Sequence, residues 1–258
     1  MNGHDTGGEA GTAPGLGVLV SNDILTIDRQ VWPSMPKIKE LHLLCYKLND
    51  EFIACITDLV PNIEVLFINN DRNWSQFILN NVTKSLAKLK ELTLGHFEAK
   101  PDSFCNIPKL APNLKKFTSE AFLNSELNHD IDDQVLKCLS HLKSLEYLHF
   151  KRDEFTNCSA TDSGVSHLFD NCPQLKTIDL DFIPKITTKT IDKMIKMANK
   201  RPNEKFYFGC WEDHRHLKRD DIPSNLQLDI TFRRQSPQYY HDESDDSDYG
   251  YGYNGHYY

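Results

Sequence analysis

Apolar residues along the chain return in one short pattern: an apolar residue, two variable residues, a second apolar residue, one variable residue and a third apolar one. It runs as Ile38-Leu41-Leu43, Ile63-Leu66-Ile68, Leu89-Leu92-Leu94, Leu114-Phe117 with Ser119 in the third place, Leu145-Leu148-Phe150 and Leu175-Ile178-Leu180. A degenerate Phe206-Phe208 and a closing Leu226-Leu228-Ile230 follow. First anchors lie 25, 26, 25, 31 and 30 residues apart. A strand turns successive side chains to opposite faces, so the last two anchors of each copy enter one shared core.

Between these strands, Glu51 to Leu59, Ser75 to Leu86, Asp132 to Leu142, Gly164 to Asn171 and Thr188 to Asn199 space their apolar residues by three or four and predict helices. Pro61, Pro112, Pro173 and Pro202 each precede a strand, where a helix must stop. Strand then helix, repeated, predicts an α/β solenoid with a curved parallel sheet on its concave side and helices on its convex side. Residues 1–17 and 233–258 have no such periodicity and too little apolar surface to offset ordering entropy, so both ends are expected to be disordered. Residues 18–34 are left as an N-terminal cap, and 35–232 as the repeat domain.

The period is close to the roughly 20 to 29 residues of leucine-rich repeats. Within that class the chain resembles the cysteine-containing repeats of F-box/LRR proteins. Asn171-Cys172-Pro173-Gln174-Leu175 matches the start of that family's unit, and Ala160-Thr161-Asp162-Ser163-Gly164-Val165 matches its helix opening. Partial copies stand at Leu48-Asn49-Asp50-Glu51-Phe52, Ile131-Asp132-Asp133-Gln134-Val135 and Ile186-Thr187-Thr188-Lys189-Thr190-Ile191. The Thr or Asp of the opening is read as a helix N-cap, its oxygen accepting a free backbone N–H. The resemblance implies an adaptor: an F-box grips the Skp1 subunit of a cullin ubiquitin ligase while the repeats select the substrate. No F-box is visible before Pro36, so contact with Skp1 and cullin is expected only through an F-box outside this chain. A stand-alone repeat scaffold is the alternative, of the kind seen in acidic leucine-rich nuclear phosphoproteins.

In such a solenoid the variable strand positions face the concave side and are the usual contact surface. They are Glu40 and His42, Val65 and Phe67, Glu91 and Thr93, Lys116 and Thr118, Tyr147 and His149, Thr177 and Asp179, then Lys205 and Tyr207. His42, Phe67, Thr93, Thr118, Tyr147, His149, Asp179 and Tyr207 are the candidate protein-binding residues, with Phe67, Tyr147, His149 and Tyr207 as anchors because aromatic groups dominate interface energetics. The insertion from Phe122 to Asp130 and the loop from Lys151 to Ala160 add two further surfaces.

Composition changes this picture little. The formal charge of -8 argues against a nucleic-acid or anionic-membrane binder, since phosphate binding needs a surplus of Lys and Arg. No apolar run approaches the roughly 18 to 20 residues that span a bilayer. The seven cysteines lack CxxC pairs and a signal peptide, so they are expected to be buried reduced thiols in a monomeric cytoplasmic or nuclear protein. The sequons at Asn73, Asn81 and Asn157 are then chance matches.

Catalytic chemistry has no pattern to stand on. Gly15-Leu16-Gly17 lacks a third glycine, and Gly164-Val165-Ser166-His167-Leu168 lacks the second glycine of a nucleophile elbow. Cys210, His214 and His216 could supply three zinc ligands where a structural site takes four, and are read as a polar loop. Cys172 occupies a repeat position that calls for a small buried residue. No enzyme activity, metal or cofactor is expected. In the tail, Ser244 and Ser247 stand among Asp242, Glu243, Asp245, Asp246 and Asp248 and are candidates for acidophilic phosphorylation.

Overall fold

The apolar triplets become strands whose side chains alternate between core and surface: Val65, Phe67 and Asn69 are half-buried while Leu66 and Ile68 are fully covered, and Tyr147–Phe150 and Thr177–Leu180 repeat the alternation. The computed structural model describes residues 16–20, 34–44, 47–69, 75–80, 82–99, 101–122, 131–150, 159–180, 183, 185–210 and 219–230. Ser244, Ser247, His214, His216, most of the two insertions, and the greater part of both termini and of the cap lie outside the described residues.

In chain order the elements are β1 (Leu16–Val20), β2 (Glu40–Leu44), β3 (Lys47–Asn49), α1 (Asp50–Leu59), β4 (Val65–Asn69), β5 (Ser75–Ile78), β6 (Glu91–Ala99), α2 (Pro101–Cys105), α3 (Ile107–Leu110) and β7 (Lys116–Phe122). They continue with α4 (Asp133–Leu139), β8 (Tyr147–Phe150), α5 (Asp162–Asn171), β9 (Thr177–Leu180), α6 (Thr188–Lys200), β10 (Phe206–Cys210) and β11 (Leu226–Asp229). Strands β1-β2-β4-β6-β7-β8-β9-β10-β11 lie side by side in that order, all parallel. The helices pack in sequence, α4 on α5 and α5 on α6. This is a leucine-rich-repeat-type solenoid.

Each coil re-enters the sheet through the same turn. Ile63 N–H donates to Val60 O at 3.1 Å, Leu89 to Leu86 at 2.9 Å, Leu114 to Ala111 at 3.2 Å, Leu145 to Leu142 at 3.1 Å and Leu175 to Cys172 at 3.1 Å. The first residue of every one of these turns is buried, which explains the Cys-Pro signature. Cys172 fills a core column shared with Val60, Leu86, Ala111 and Leu142, and proline at the next place presets the turn's φ in three of the five. The two N–H groups that follow then converge on one carbonyl of the preceding coil: Glu64 and Val65 on Lys39 O, Lys90 and Glu91 on Glu64 O, Lys115 and Lys116 on Lys90 O. Inside the arc, Phe104, Phe117 and Phe150 meet edge to face with centroids 5.7 to 6.3 Å apart.

The helix openings read as their motif implies. Asp132 accepts from Val135 N at 2.9 Å, Thr161 from Ser163 N at 3.1 Å and Thr187 from Lys189 N at 3.2 Å. The aspartate of the opening has a second task. Thr161 donates its N–H and its hydroxyl to the Asp133 carboxylate, both at 2.7 Å, and Thr187 does the same to Asp162 at 2.9 and 2.6 Å. Each helix start thus ties the cap of the next coil to itself. Burial works against the charge of Asp162, yet the hydroxyl and N–H donors of Thr187 and Thr190 together hold its carboxyl below the ordinary value. Gly164 is required by this ladder, because a Cβ there would stand 2.9 Å from the Asp133 Cα and 3.1 Å from Leu136 Cδ1.

Three expectations are corrected. Ser75 to Leu86 is not a helix: Ser75–Ile78 is the strand β5, paired on both sides with β3 and β6, and inter-coil pairing outweighs the three-to-four spacing of its apolar residues. Leu79 beyond it is buried and held through Ser103 Oγ and Asn106 Nδ2. The cysteines are not all reduced thiols: Cys105 and Cys138 form a disulfide between α2 and α4, whose stacking brings their Cα atoms to 4.7 Å. Cys55, Cys172 and Cys210 stand outside any disulfide, while Cys45 and Cys158 lie outside the described residues. The expected Phe206-Phe208 copy stands two residues too early. Phe208 pairs with Ile178 and Cys210 with Leu180, so Phe208 and Cys210 are the inward anchors and Cys210 is core, not part of a polar loop.

Candidate concave binding face

In-register parallel strands bring equivalent side chains within about 4.8 Å of one another, so the concave residues form two columns. One runs from Glu40 through Val65, Glu91 and Lys116 to Tyr147, Thr177 and Tyr207. The other holds His42, Phe67, Thr93 and Thr118, then His149, Asp179, Gly209 and Asp229. All eight candidate residues therefore stand on this face, half-buried. Lys205 does not. It precedes β10, and the place beside Asp179 belongs to Gly209.

The side chains gather into two clusters. At the N-terminal end the His42 ring stacks on Phe67 with centroids 5.3 Å apart, and His42 Nε2 lies 2.8 Å from Glu40 Oε1. Thr93 and Thr118 follow with short side chains that leave the floor low. The second cluster begins where Lys116 Nζ sits 3.5 Å from Glu91 and 5.5 Å from the Tyr147 ring centroid. Tyr147 meets His149 edge to face at 6.3 Å, and His149 Nε2 lies 3.8 Å from Asp179 Oδ2. A Cβ on Gly209 would collide with Asp179 Oδ1 and stand 2.8 Å from the Tyr207 hydroxyl, so only glycine lets Asp179 and Tyr207 approach there.

No family model matches the chain. Among solved structures, a crystal structure of the Rad7 and Elc1 complex in yeast is similar at 14% identity and a TM-score of 0.24, over 75% of this chain and 74% of that chain.

Gly209, Gln227 and Asp229 are concave positions that sequence reasoning missed. The signal was present: carrying Ile178 and Leu180 forward by the preceding spacing of 30 residues lands on Phe208 and Cys210, which would have set the frame. Outside this face, the chemistry is quiet. Burial pushes the Cys172 thiol up to about 11, so it is a packing group at neutral pH, its Sγ 3.6 Å from Ser140 O. Among the described residues no three His, Cys, Asp or Glu side chains gather as metal ligands, and no helix is long and apolar enough to cross a membrane.

Proposed function

We propose that this chain is a protein-interaction module that binds its partner on the concave face, without catalysis or a cofactor. More specifically, it selects substrates for ubiquitin ligation in the manner of F-box/LRR proteins. The observation that carries the binding reading is the pair of concave clusters: aromatic rings at Phe67, Tyr147 and Tyr207, interleaved with Lys116, His149 and Asp179, are held on one parallel sheet and remain partly open to solvent. Rigid aromatic anchors lose little entropy on contact, and alternating charge gives register. The ligase reading is supported by the repeat grammar, a Cys-Pro turn at Cys172-Pro173 and a Thr-Asp-x-Gly opening at Thr161 to Gly164.

Affinity capture of the full chain from its own cells, beside a Tyr147→Ala/His149→Ala variant of unchanged melting temperature, tests both parts. A partner held by the wild type should bind the variant at least about tenfold more weakly, or about 1.4 kcal/mol, with Skp1 and a cullin recovered alongside. A concave-dependent partner arriving without Skp1 or cullin replaces the ligase reading with a stand-alone scaffold. Equal capture by the variant removes the concave reading.

A further inference from the structure

Helix α6 places Lys189, Lys193, Lys196 and Lys200 on one face, since steps of four, three and four residues stay on a single stripe. Lys189, Lys196 and Lys200 are exposed. Only Lys193 is paired among the described carboxylates, at 2.6 Å from Asp170 of α5. Beside the stripe a groove of about 350 Å³ runs between α5 and α6, and its walls combine Lys196 and Lys200 with apolar Phe169 and Met197. This is a basic strip with an apolar floor on a chain of net charge -8.

We infer that this groove is the docking site of the chain's own segment 242–253. Asp242, Glu243, Asp245, Asp246 and Asp248 would lie along the lysines, and Tyr249, Tyr251 or Tyr253 would cover the apolar floor. The complementarity is of charge, and the acidic run is long enough to cover the stripe. Seven residues of extended chain span about 23 Å, and the eleven helical steps from Lys189 to Lys200 span about 16 Å.

The tether also reaches. Asn225 Nδ2 donates to Ala198 O and Arg201 O at 3.1 and 3.2 Å, which fixes the start of β11 at the C-terminal end of α6. Ile230 is five residues further on, within about 17 Å of that point, and the eleven residues 231–241 cover up to about 36 Å. A segment tied this closely faces its site at an effective concentration on the order of millimolar, enough for weak ion pairs to hold it. Phosphate on Ser244 or Ser247 adds up to about two negative charges at each site and tightens the contact.

Carbodiimide cross-linking of the full chain, prepared as a mixture of isotopically light and heavy protein, reads the contact directly. Expected are links within one chain from residues 242–248 to Lys189, Lys193, Lys196 or Lys200, at least about fivefold above those to Lys37, Lys84, Lys88 and Lys137, and lost at about 0.5 M salt because exposed pairs are screened. In Lys196→Gln/Lys200→Gln, which keeps helix propensity, the links to Lys189 and Lys193 should fall by about fivefold as the stripe loses charge. Links spread evenly over the lysines, links joining light to heavy chains, or links indifferent to salt overturn the proposal. None of these outcomes depends on the concave face.

Discussion

At the residue scale, the positions with the least freedom are those where one coil touches the next. Gly164 is the clearest: its missing side chain makes room for backbone, the Asp133 Cα, which cannot swing aside as a flexible side chain could. Gly164→Ala should therefore cost about 1 to 3 kcal/mol, read as a lower urea midpoint with an unchanged slope. Gly209 differs, because what a Cβ would meet there is the Asp179 carboxylate and the Tyr207 hydroxyl. Its glycine shapes the concave surface more than it secures the core. Cys172 is conventional by contrast. Its column partners are Val60, Leu86, Ala111 and Leu142, and a residue that shares a column with these three side-chain types is chosen for volume, not for sulfur chemistry.

At the element scale, stability is made between coils. Helices α4, α5 and α6 each start at a side-chain cap, and the cap threonines of α5 and α6 also bond the aspartate at the start of the preceding helix. The same logic joins α2 to α4 covalently. The Cys105–Cys138 bond closes a loop of 33 residues, and the chain-entropy model gives such a loop about 3 to 4 kcal/mol. Cys105→Ser/Cys138→Ser, or the wild type in strong reductant, should lose that much or somewhat less in a urea titration. An equal loss in both would assign the effect to the bond, not to packing of the substituted side chains. Along the edge where strands begin, Lys39 and Lys90 both pair with Glu64, and Lys115 pairs with Glu146 at 3.0 Å. Hydrogen bonds from Lys90 and then Lys39 pull the Glu64 carboxyl down from 4.5 to about 2.

At the scale of the whole molecule, that edge ladder sets part of the acid response. A carboxyl with a depressed folded-state pKa contributes stability in full above its unfolded value near 4.5, and the contribution fades as pH falls from there toward 2. The stability difference between wild type and Glu64→Gln should be positive at neutral pH and shrink steadily below pH 4.5 in paired urea titrations. It should be small throughout, since the group is partly open to solvent and salt screens it. Because each coil of a solenoid touches only its neighbours, a loss at Glu64 should add nearly independently to one at Gly164, whereas Gly164 and the disulfide both bear on α4 and should couple.

How much of this was legible in the chain follows from the range of each signal. A strand in this sheet is a local pattern of period two, so every triplet from Ile38 to Leu180 could be read directly. Capping is local too, since the donor and acceptor lie two or three residues apart. What only the tertiary structure decided involves partners about one coil away. Ser75–Ile78 has helical spacing but becomes a strand because β3 and β6 offer it ladders on both sides. Cys105 meets Cys138 because two helices stack, and the frame of β10 is set by β9, as its own Phe206-Phe208 pattern fits either register. Short-range periodicity is written into the sequence by side-chain geometry. Register between coils is settled only when neighbouring backbones compete for the same hydrogen bonds.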